Sequence, residues 1–367
     1  MVACDTYDEK TIDAAVQASL KYITVLEQLV APGTRVHIKP NLLTAKTPDK
    51  AATTHPTIVR SIVNILHSLG ATVTIGDSPA GKSRPIQEYW EKTGMAEIAE
   101  QTGATLIQFE KNGVQQFDVN RRMYFIAKAV ADADVVVNVS KMKTHNLTLF
   151  TGAIKNMFGS IPGFRKSEYH KQAHKARDFS RIIVDIFSAI RPQINIMDAV
   201  DIMEGAGPSA GTVNHLGLIL ASTDAVALDA VAAHLMGFED GEIFTTQYAY
   251  EAGLGEKNLE KITIQGESLQ KYSGRVFALP TNRYTNYVPS VVVKVLGKLI
   301  WVRPRPDENK CQRCGACIAI CPTRAMSSDS GFPIIDYKKC ISCFCCDEAC
   351  PHNAIEQRAS WLVRKIQ

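Results

Sequence analysis

One cysteine pattern, used twice, fixes what the C-terminal end of this chain can become. Cys311, Cys314, Cys317 and Cys321 precede Pro322, and Cys340, Cys343, Cys346 and Cys350 precede Pro351, so C-x2-C-x2-C-x3-C-P recurs at a constant offset of 29 residues. Three cysteines two residues apart let a tight loop wrap one face of a 4Fe-4S cube, while the fourth, beside proline, reaches the other cluster. The spacing therefore predicts two 4Fe-4S clusters. Cys311, Cys314, Cys317 and Cys350 are the expected ligands of the first, and Cys340, Cys343, Cys346 and Cys321 of the second.

A disulfide framework suits small secreted scaffolds that lack core. This sequence shows no secretory leader, and only Cys4 precedes residue 310. Cys345 lies inside the second run, where only Cys346 keeps two residues before it and three before Cys350. Cys345 is thus expected to be a small, partly buried apolar residue, with a catalytic thiol as the alternative.

The 367 residues, 46% hydrophobic, are enough for a sizeable body beside this module. The expected division is an α/β body over 1–268, a linker or docking segment over 269–308, and a two-cluster, ferredoxin-like α+β module over 309–367. No stretch is apolar enough for a membrane span, which points to the cytoplasm. The formal net charge of +4 falls near zero if each cluster with its four thiolates carries about −2. Charge therefore gives no support for nucleic-acid binding.

In the body, apolar residues recur at helical spacing over Asp8–Val30 and Thr57–Leu69, while Arg35–Ile38 and Thr72–Gly76 read as strands. Pro85–Gln101 reads as helix broken at Gly94, and Thr105–Phe109 as strand. Ala133–Val139 is nearly all valine, as expected of a central strand buried on both faces. Later elements are a short helix over Thr151–Phe158, a basic loop over Gly159–Asp178, a helix over Phe179–Ile190, strands at Ile194–Asp198 and Leu216–Ala221, and a buried helix over Asp224–Met236. Strand and helix alternate in the way that builds a mainly parallel open sheet with helices on both faces. Ser290–Val302, apolar with Lys294 and Lys298, reads as a segment docking the two parts together, or as a membrane-surface helix. Gly331–Asp336 reads as a hairpin strand.

Polar residues gather where strands end, the place where open α/β sheets bind ligands. Lys39 and Asn41 follow one strand, Asp77 a second, Lys141, Lys143 and His145 a third, and Glu204 with Gly205, Gly207 and Gly211 a fourth. Lys155 and Asn156 come close behind the third. Several ammonium groups in one crevice imply an anionic ligand. Gly205 to Gly211 offers backbone N–H groups to phosphate oxygens, or is a plain turn. His170 and His174, four apart among lysines and arginines, are expected on an exposed basic lid, since a cationic setting disfavours a metal. His55 and His145 are candidates for proton transfer.

Lys39-Pro-Asn41, Lys141 to His145, Thr151-Gly-Ala-Ile-Lys-Asn-Met-Phe-Gly159, Met203 to Pro208 and Asp224 to Asp229 together resemble the family called domain of unknown function 362. The resemblance covers about residues 1 to 270 and implies an α/β body, often fused to a C-terminal ferredoxin with two 4Fe-4S clusters. By position, Lys39, Asn41, Lys141, Lys143, His145, Lys155, Asn156, Glu204 and Asp229 look like the family's motif residues. The expected function is a ferredoxin-fused reductase, supplied by a partner ferredoxin or oxidoreductase and passing single electrons to an anionic substrate or cofactor. In it His145 and Lys143 would be catalytic, while Lys39, Asn41, Lys141, Lys155, Asn156, Glu204, Gly205 and Gly207 would bind the anion. The alternatives are an electron-transfer subunit or docking module without its own chemistry, and a non-redox enzyme with structural or sensory clusters.

Overall fold

A computed structural model describes residues 1–23, 26–79, 85–281, 283, 301–361 and 363. The body is built on one eight-stranded sheet whose strands are β1 (Val2–Ala3), β2 (Arg35–Pro40), β3 (Thr72–Ile75), β4 (Thr105–Leu106), β7 (Val135–His145), β8 (Leu149–Thr151), β9 (Ile194–Glu204) and β10 (Thr212–Ser222). A separate hairpin of β5 (Val114–Val119) and β6 (Arg122–Ala127) lies between β4 and β7 in the chain. The sheet runs β1-β10-β9-β7-β2-β3-β4, with β8 paired to β7. Strands β9, β7, β2, β3 and β4 are parallel, whereas β10 and β1 close one edge antiparallel.

The valine run explains why β7 lies at the centre. Successive strand side chains point to opposite faces, and Val135, Val137 and Val139 join one core while Val136 joins the other. In β9, Ile194 and Ile196 meet the first of these cores and Met197 the second. The first core is capped by the helices Glu9–Ile23 and Pro56–Ser68, the second by Ala176–Ala189 and Ala225–Leu235. Two helices of the body have side-chain caps at their starts, His55 before Pro56–Ser68 and Asp224 before Ala225–Leu235. Asp224, for example, accepts from Val226 N and Ala227 N at 2.8 and 3.0 Å and so sets the start of Ala225–Leu235.

Several boundaries differ from the expectation. Both β7 and β9 run on to residues 145 and 204, so the polar stretch after the valines is strand, not exit loop. Pairing with β8 and, across a register shift between Lys141 and Lys143, with β9 outweighs local polarity there, because it gives the backbone groups ladder partners. Strand β4 stops at Leu106 and Phe109 begins a short helix. The supposed basic loop contains the helix Arg165–Gln172.

The C-terminal module begins before residue 309, because β11 (Val302–Pro306) pairs with β14 (Ile355–Ala359). Between them lie the hairpin β12 (Met326–Asp329) and β13 (Phe332–Ile335) and two short helices, Ala316–Ile320 and Cys345–Glu348. Tyr272 and Phe277, at the other end of the expected linker, are buried in the body's core. Ser290–Val302, apart from its last residue or two, lies outside the described residues. Among the described residues no helix is long and apolar enough to cross a membrane.

A second polar cluster ties the N-terminus to the sheet. Asp198 on β9, fully buried, accepts from Tyr7 Oη at 2.8 Å, Lys141 Nζ at 2.9 Å and the His55 backbone N–H at 2.9 Å. Breaking a buried ion pair leaves one charge stranded, at a cost of about 3–5 kcal/mol. Asp198→Ala should therefore lower unfolding free energy by about that amount in urea denaturation. A loss close to zero would show that Lys141 does not depend on the pair.

Candidate functional site

The carboxyl ends of β2, β3 and β7 converge on a cavity of about 70 Å³. Asn41, Asp77, Lys143, His145, Thr151, Lys155, Asn156, Lys166 and His170 line it from the body, and Ile320, Cys345 and Glu348 from the C-terminal module. Of the residues expected to bind an anion, Asn41, Lys155 and Asn156 line this cavity, with Lys143 and His145, the two expected catalytic residues, beside them.

Lys39 lies under this floor. Wholly buried, it pairs with Asp77 at 2.9 Å, and Asp77 also accepts from the backbone N–H groups of Leu42 and Ser78 at 2.7 and 2.9 Å. A side chain on Gly159 would run into both members of the pair. The glycine ending the Thr151–Gly159 motif is thus required by a close approach of backbone to charge.

Above the pair runs a ladder of buried amides. Lys143 Nζ donates to Asn41 Oδ1 at 2.7 Å and to Ala52 O at 2.6 Å; Asn41 Nδ2 donates to Asn156 Oδ1 at 2.9 Å; Asn156 Nδ2 donates to Asn138 Oδ1 at 2.8 Å; Asn138 Nδ2 donates to Asn195 Oδ1 at 2.9 Å. The short helix Ala153–Asn156 that carries Lys155 is held by Asp229, which accepts from Ala153 N at 2.6 Å and Ile154 N at 3.0 Å. Asp229 is a positioning residue: it fixes the turn and does not line the cavity. Burial pushes its carboxyl up to about 7.

Burial lowers Lys143 well below the ordinary lysine value, with neighbouring Lys155 adding to the effect. It lowers Lys155 as well, and Lys166 to about 8. Lys155 has no hydrogen bond or ion pair to a described residue, in contrast to Lys143 and to Lys166, which donates to Ser78 O. His145 Nδ1 accepts the Leu147 backbone N–H at 3.0 Å, so Nε2 carries the ring proton. That atom stands 3.0 Å from Glu348 Oε1, within ion-pair reach though not aligned as a hydrogen bond. Burial holds His145 at about 4.

Other expected residues lie elsewhere. Lys141 does not line the cavity; a shift in register between Lys141 and Lys143 accompanies its separation, and Asp198 neutralises it. His55 stacks on Tyr7 with centroids 3.7 Å apart and stays outside the cavity. Glu204 accepts from Asn214 Nδ2 and Ala278 N, while the N–H groups of Gly205 and Gly207 bond to Ala278 O and Gly205 O. The N–H groups of Gly205 and Gly207 are thus taken up in fastening chain to chain. The exposed lid is also corrected: His170 is buried, stacks on Phe179 at 4.0 Å and lines the cavity, whereas His174 is exposed and beyond the helix end. The cause is Phe179 and Phe158, whose rings give the imidazole an apolar seat.

The module's repeat is visible in the backbone. Left-handed φ angles occur at Arg313 and Ser342, Gly315 and Phe344, Arg324 and Asn353, each pair at the sequence offset of the cysteine runs. The N–H groups of Ala325 and Ala354 donate to Cys321 Sγ and Cys350 Sγ, both at 3.2 Å. Cys311, Cys314, Cys317 and Cys350 line one hollow. Burial, reinforced by the other three thiols, pushes Cys317 up to about 11. Burial also raises Cys340, and the thiols of Cys343 and Cys321 add to it. Such crowded thiols resist ionising unless a cationic core holds the thiolates. Among the described residues no three His, Cys, Asp or Glu side chains converge as they would on a single ion. Four thiols around one hollow are instead the donor set that a cube of iron and sulfide takes.

The two parts meet at the second cysteine run. Asn146 Nδ2 donates to Asp347 Oδ2 at 2.7 Å, and Lys46 Nζ bonds Ser209 O and Asn353 Oδ1. Sequence reasoning missed Glu348, Asp347, Lys46, Lys166 and Asn138 as part of this neighbourhood. Only the position of Glu348, between two cysteines, hinted at it.

Asp229 gives a pH prediction. Its folded value of about 7 lies above the ordinary aspartate value of 3.8, so the folded state binds the extra proton between those limits. Its contribution should make stability fall as pH rises through that window. Asp229→Asn should flatten the slope in urea denaturation at several pH values; an unchanged slope would count against it.

Both parts of the chain are similar to known proteins. The 4Fe-4S binding domain model matches residues 304–327. A thylakoid-associated protein of Synechocystis sp. is 30% identical over 256 residues, covering 69% of this chain and 79% of the relative. The apoprotein of lactate racemase from Thermoanaerobacterium thermosaccharolyticum superposes with a TM-score of 0.41 at 13% identity over 64% of this chain, which spans 56% of that structure. The model described as Domain of unknown function (DUF362) matches residues 36–234, more than half of the chain, and the protein belongs to that family.

Proposed function

We propose that this iron-sulfur protein is a ferredoxin-fused reductase that delivers single electrons to an anion bound in the body's crevice. One observation carries the reading: Cys345, between Cys343 and Cys346, and Glu348 wall the same cavity as Lys143, Lys155 and His145. An electron held by the second cysteine run would be next to whatever the lysines bind. In this reading Cys311, Cys314, Cys317 and Cys350 hold one 4Fe-4S cluster, and Cys340, Cys343, Cys346 and Cys321 the other. When bound, the clusters supply one-electron transfer at potentials set by their surroundings.

The chain's own residues do the rest. Cys314 is the exposed cysteine of the first set and marks the side where a redox partner, a ferredoxin or oxidoreductase, would dock. Asn41 and Asn156 orient Lys143, and Asp229 orients Lys155, so the cations are in place before the anion arrives. Lys155, without a partner, is better placed than Lys143 to give a proton. His145 has its tautomer set by Leu147 N and keeps Nε2–H toward Glu348. A reducing, cytoplasmic setting suits ten free cysteines.

Cys346→Ser should lose about half of the iron and acid-labile sulfide of the anaerobically purified protein, whereas Cys345→Ser should keep all of it. Equal losses would reassign the second ligand set. For the reaction, small anions released from the purified protein and identified by mass spectrometry should, when returned, discharge the EPR signal of dithionite-reduced protein. Lys155→Met and His145→Gln should slow that discharge at least about tenfold, within the usual range for a lost proton donor, with the signal itself unchanged. A signal that persists with every released anion would remove the reductase reading.

A further inference from the structure

The crevice contains hydrogen-bonding capacity that its own side chains leave unused. His170 Nδ1 and Thr151 Oγ1 are sealed from solvent without a hydrogen-bond partner, and both residues, each 3% exposed, line the cavity. Buried polar groups are nearly always paired. Two unpaired ones on a single small cavity indicate a missing occupant.

The charges specify what it is. Lys143, Lys155 and Lys166 line the cavity against Glu348 and Asp77, and Asp77 is already matched by Lys39 beneath it. Glu348 offsets one of the three within the lining, and Glu110 acts on Lys166 from outside it, so the lining itself has an excess of two lysines over free carboxylates. Lys155 in particular reaches no acceptor among the described residues, although Glu348 and Cys345 are its near neighbours. The open space, about 70 Å³, is far below the ~300 Å³ at which drug-sized ligands begin to fit, which favours a compact ligand.

Resting on the reductive reading above, we propose that the crevice binds a compact oxyanion of charge −2, held by Lys155 and Lys166 with hydrogen bonds from His170 and Thr151. An inorganic oxyanion and a short dicarboxylate share this chemistry. The lysines also stand near the second cysteine run, so a purely cluster-compensating role is the rival to be separated by experiment.

Isothermal titration calorimetry of the full-length, cluster-loaded protein under anaerobic conditions makes the separation, with sulfate and succinate as dianions and acetate as the monoanion. Sulfate or succinate is expected to bind at one site at least about tenfold more tightly than acetate, the worth of roughly one charge-assisted hydrogen bond. The tighter of the two identifies the inorganic or the organic source. Lys155→Met and the near-isosteric Thr151→Val should each weaken that binding severalfold or more while cluster absorbance and EPR stay as they were; Lys166→Met repeats the test at the second lysine. Equal binding of acetate and both dianions, or none, overturns the proposal. So does a Lys155→Met protein whose cluster potential moves while its dianion affinity does not. Tight dianion binding that never discharges the reduced clusters would uphold the anion site and remove the reductase reading alone.

Discussion

The ion pair between Lys39 and Asp77 is the constraint on which the crevice depends. Taking both charges out of water costs several kcal/mol per ion even after relaxation, and their attraction repays this only with further hydrogen bonds. Those bonds are present: Asp77 accepts two backbone N–H groups, and Lys39 also donates to Pro40 O at 3.1 Å. These bonds lie at the ends of β2 and β3, so satisfying the pair brings those two exits together, against the turn that carries Gly159. The amide ladder from Asn41 to Asn195 then extends the same rigid floor across β7 and β9. Lys155 and Lys143 are presented on that floor with little freedom to move. A site that must hold charge out of water needs such preorganisation, because nothing can rearrange cheaply to accommodate it.

Much of the fold was legible because its signals are local. Valine repetition announced the central strand, glycine and proline marked helix ends, and alternation of strand and helix gave a largely parallel sheet. The ends of β7 and β9 were not legible, since Lys141 to His145 read as an exit until pairing with β8 and β9 overrode them. The antiparallel closing edge of β10 and β1 depends on contacts between distant segments and leaves no periodic trace.

The candidate site shows the same division. Asn41, Lys143, His145, Lys155 and Asn156 could be grouped because each stands at a strand exit or on the turn beyond it. Lys141 could not be separated from Lys143 by spacing alone, since residues two apart in a strand share a face; its partner Asp198 arrives from β9. His170 was read as exposed from its basic neighbours, yet Phe158 and Phe179 draw it inside. Asp229 was recognisable as a motif residue, but its task, holding the N–H groups of Ala153 and Ile154, exists only after the helix Ala225–Leu235 has packed.

The contact between the body and the second cysteine run follows from electrostatics. A 4Fe-4S core of charge 2+ held by four thiolates carries about −2, and an anion brought beside it would be repelled strongly where the effective dielectric is low. Anion and cluster can share one crevice only if cations stand between them. Lys155 is within electrostatic reach of both Cys345 and Glu348, and Lys143 of Glu348, which is the intervening position. The same placement favours negative charge that develops on a ligand as an electron arrives, since ammonium groups fixed in a dry site need no reorganisation to stabilise it. Glu348 limits the effect by offsetting one of the positive charges. In this arrangement the ferredoxin-like module is a wall of the cavity, and under the proposed reading the lysines at the sheet's edge would make that wall compatible with an anionic guest.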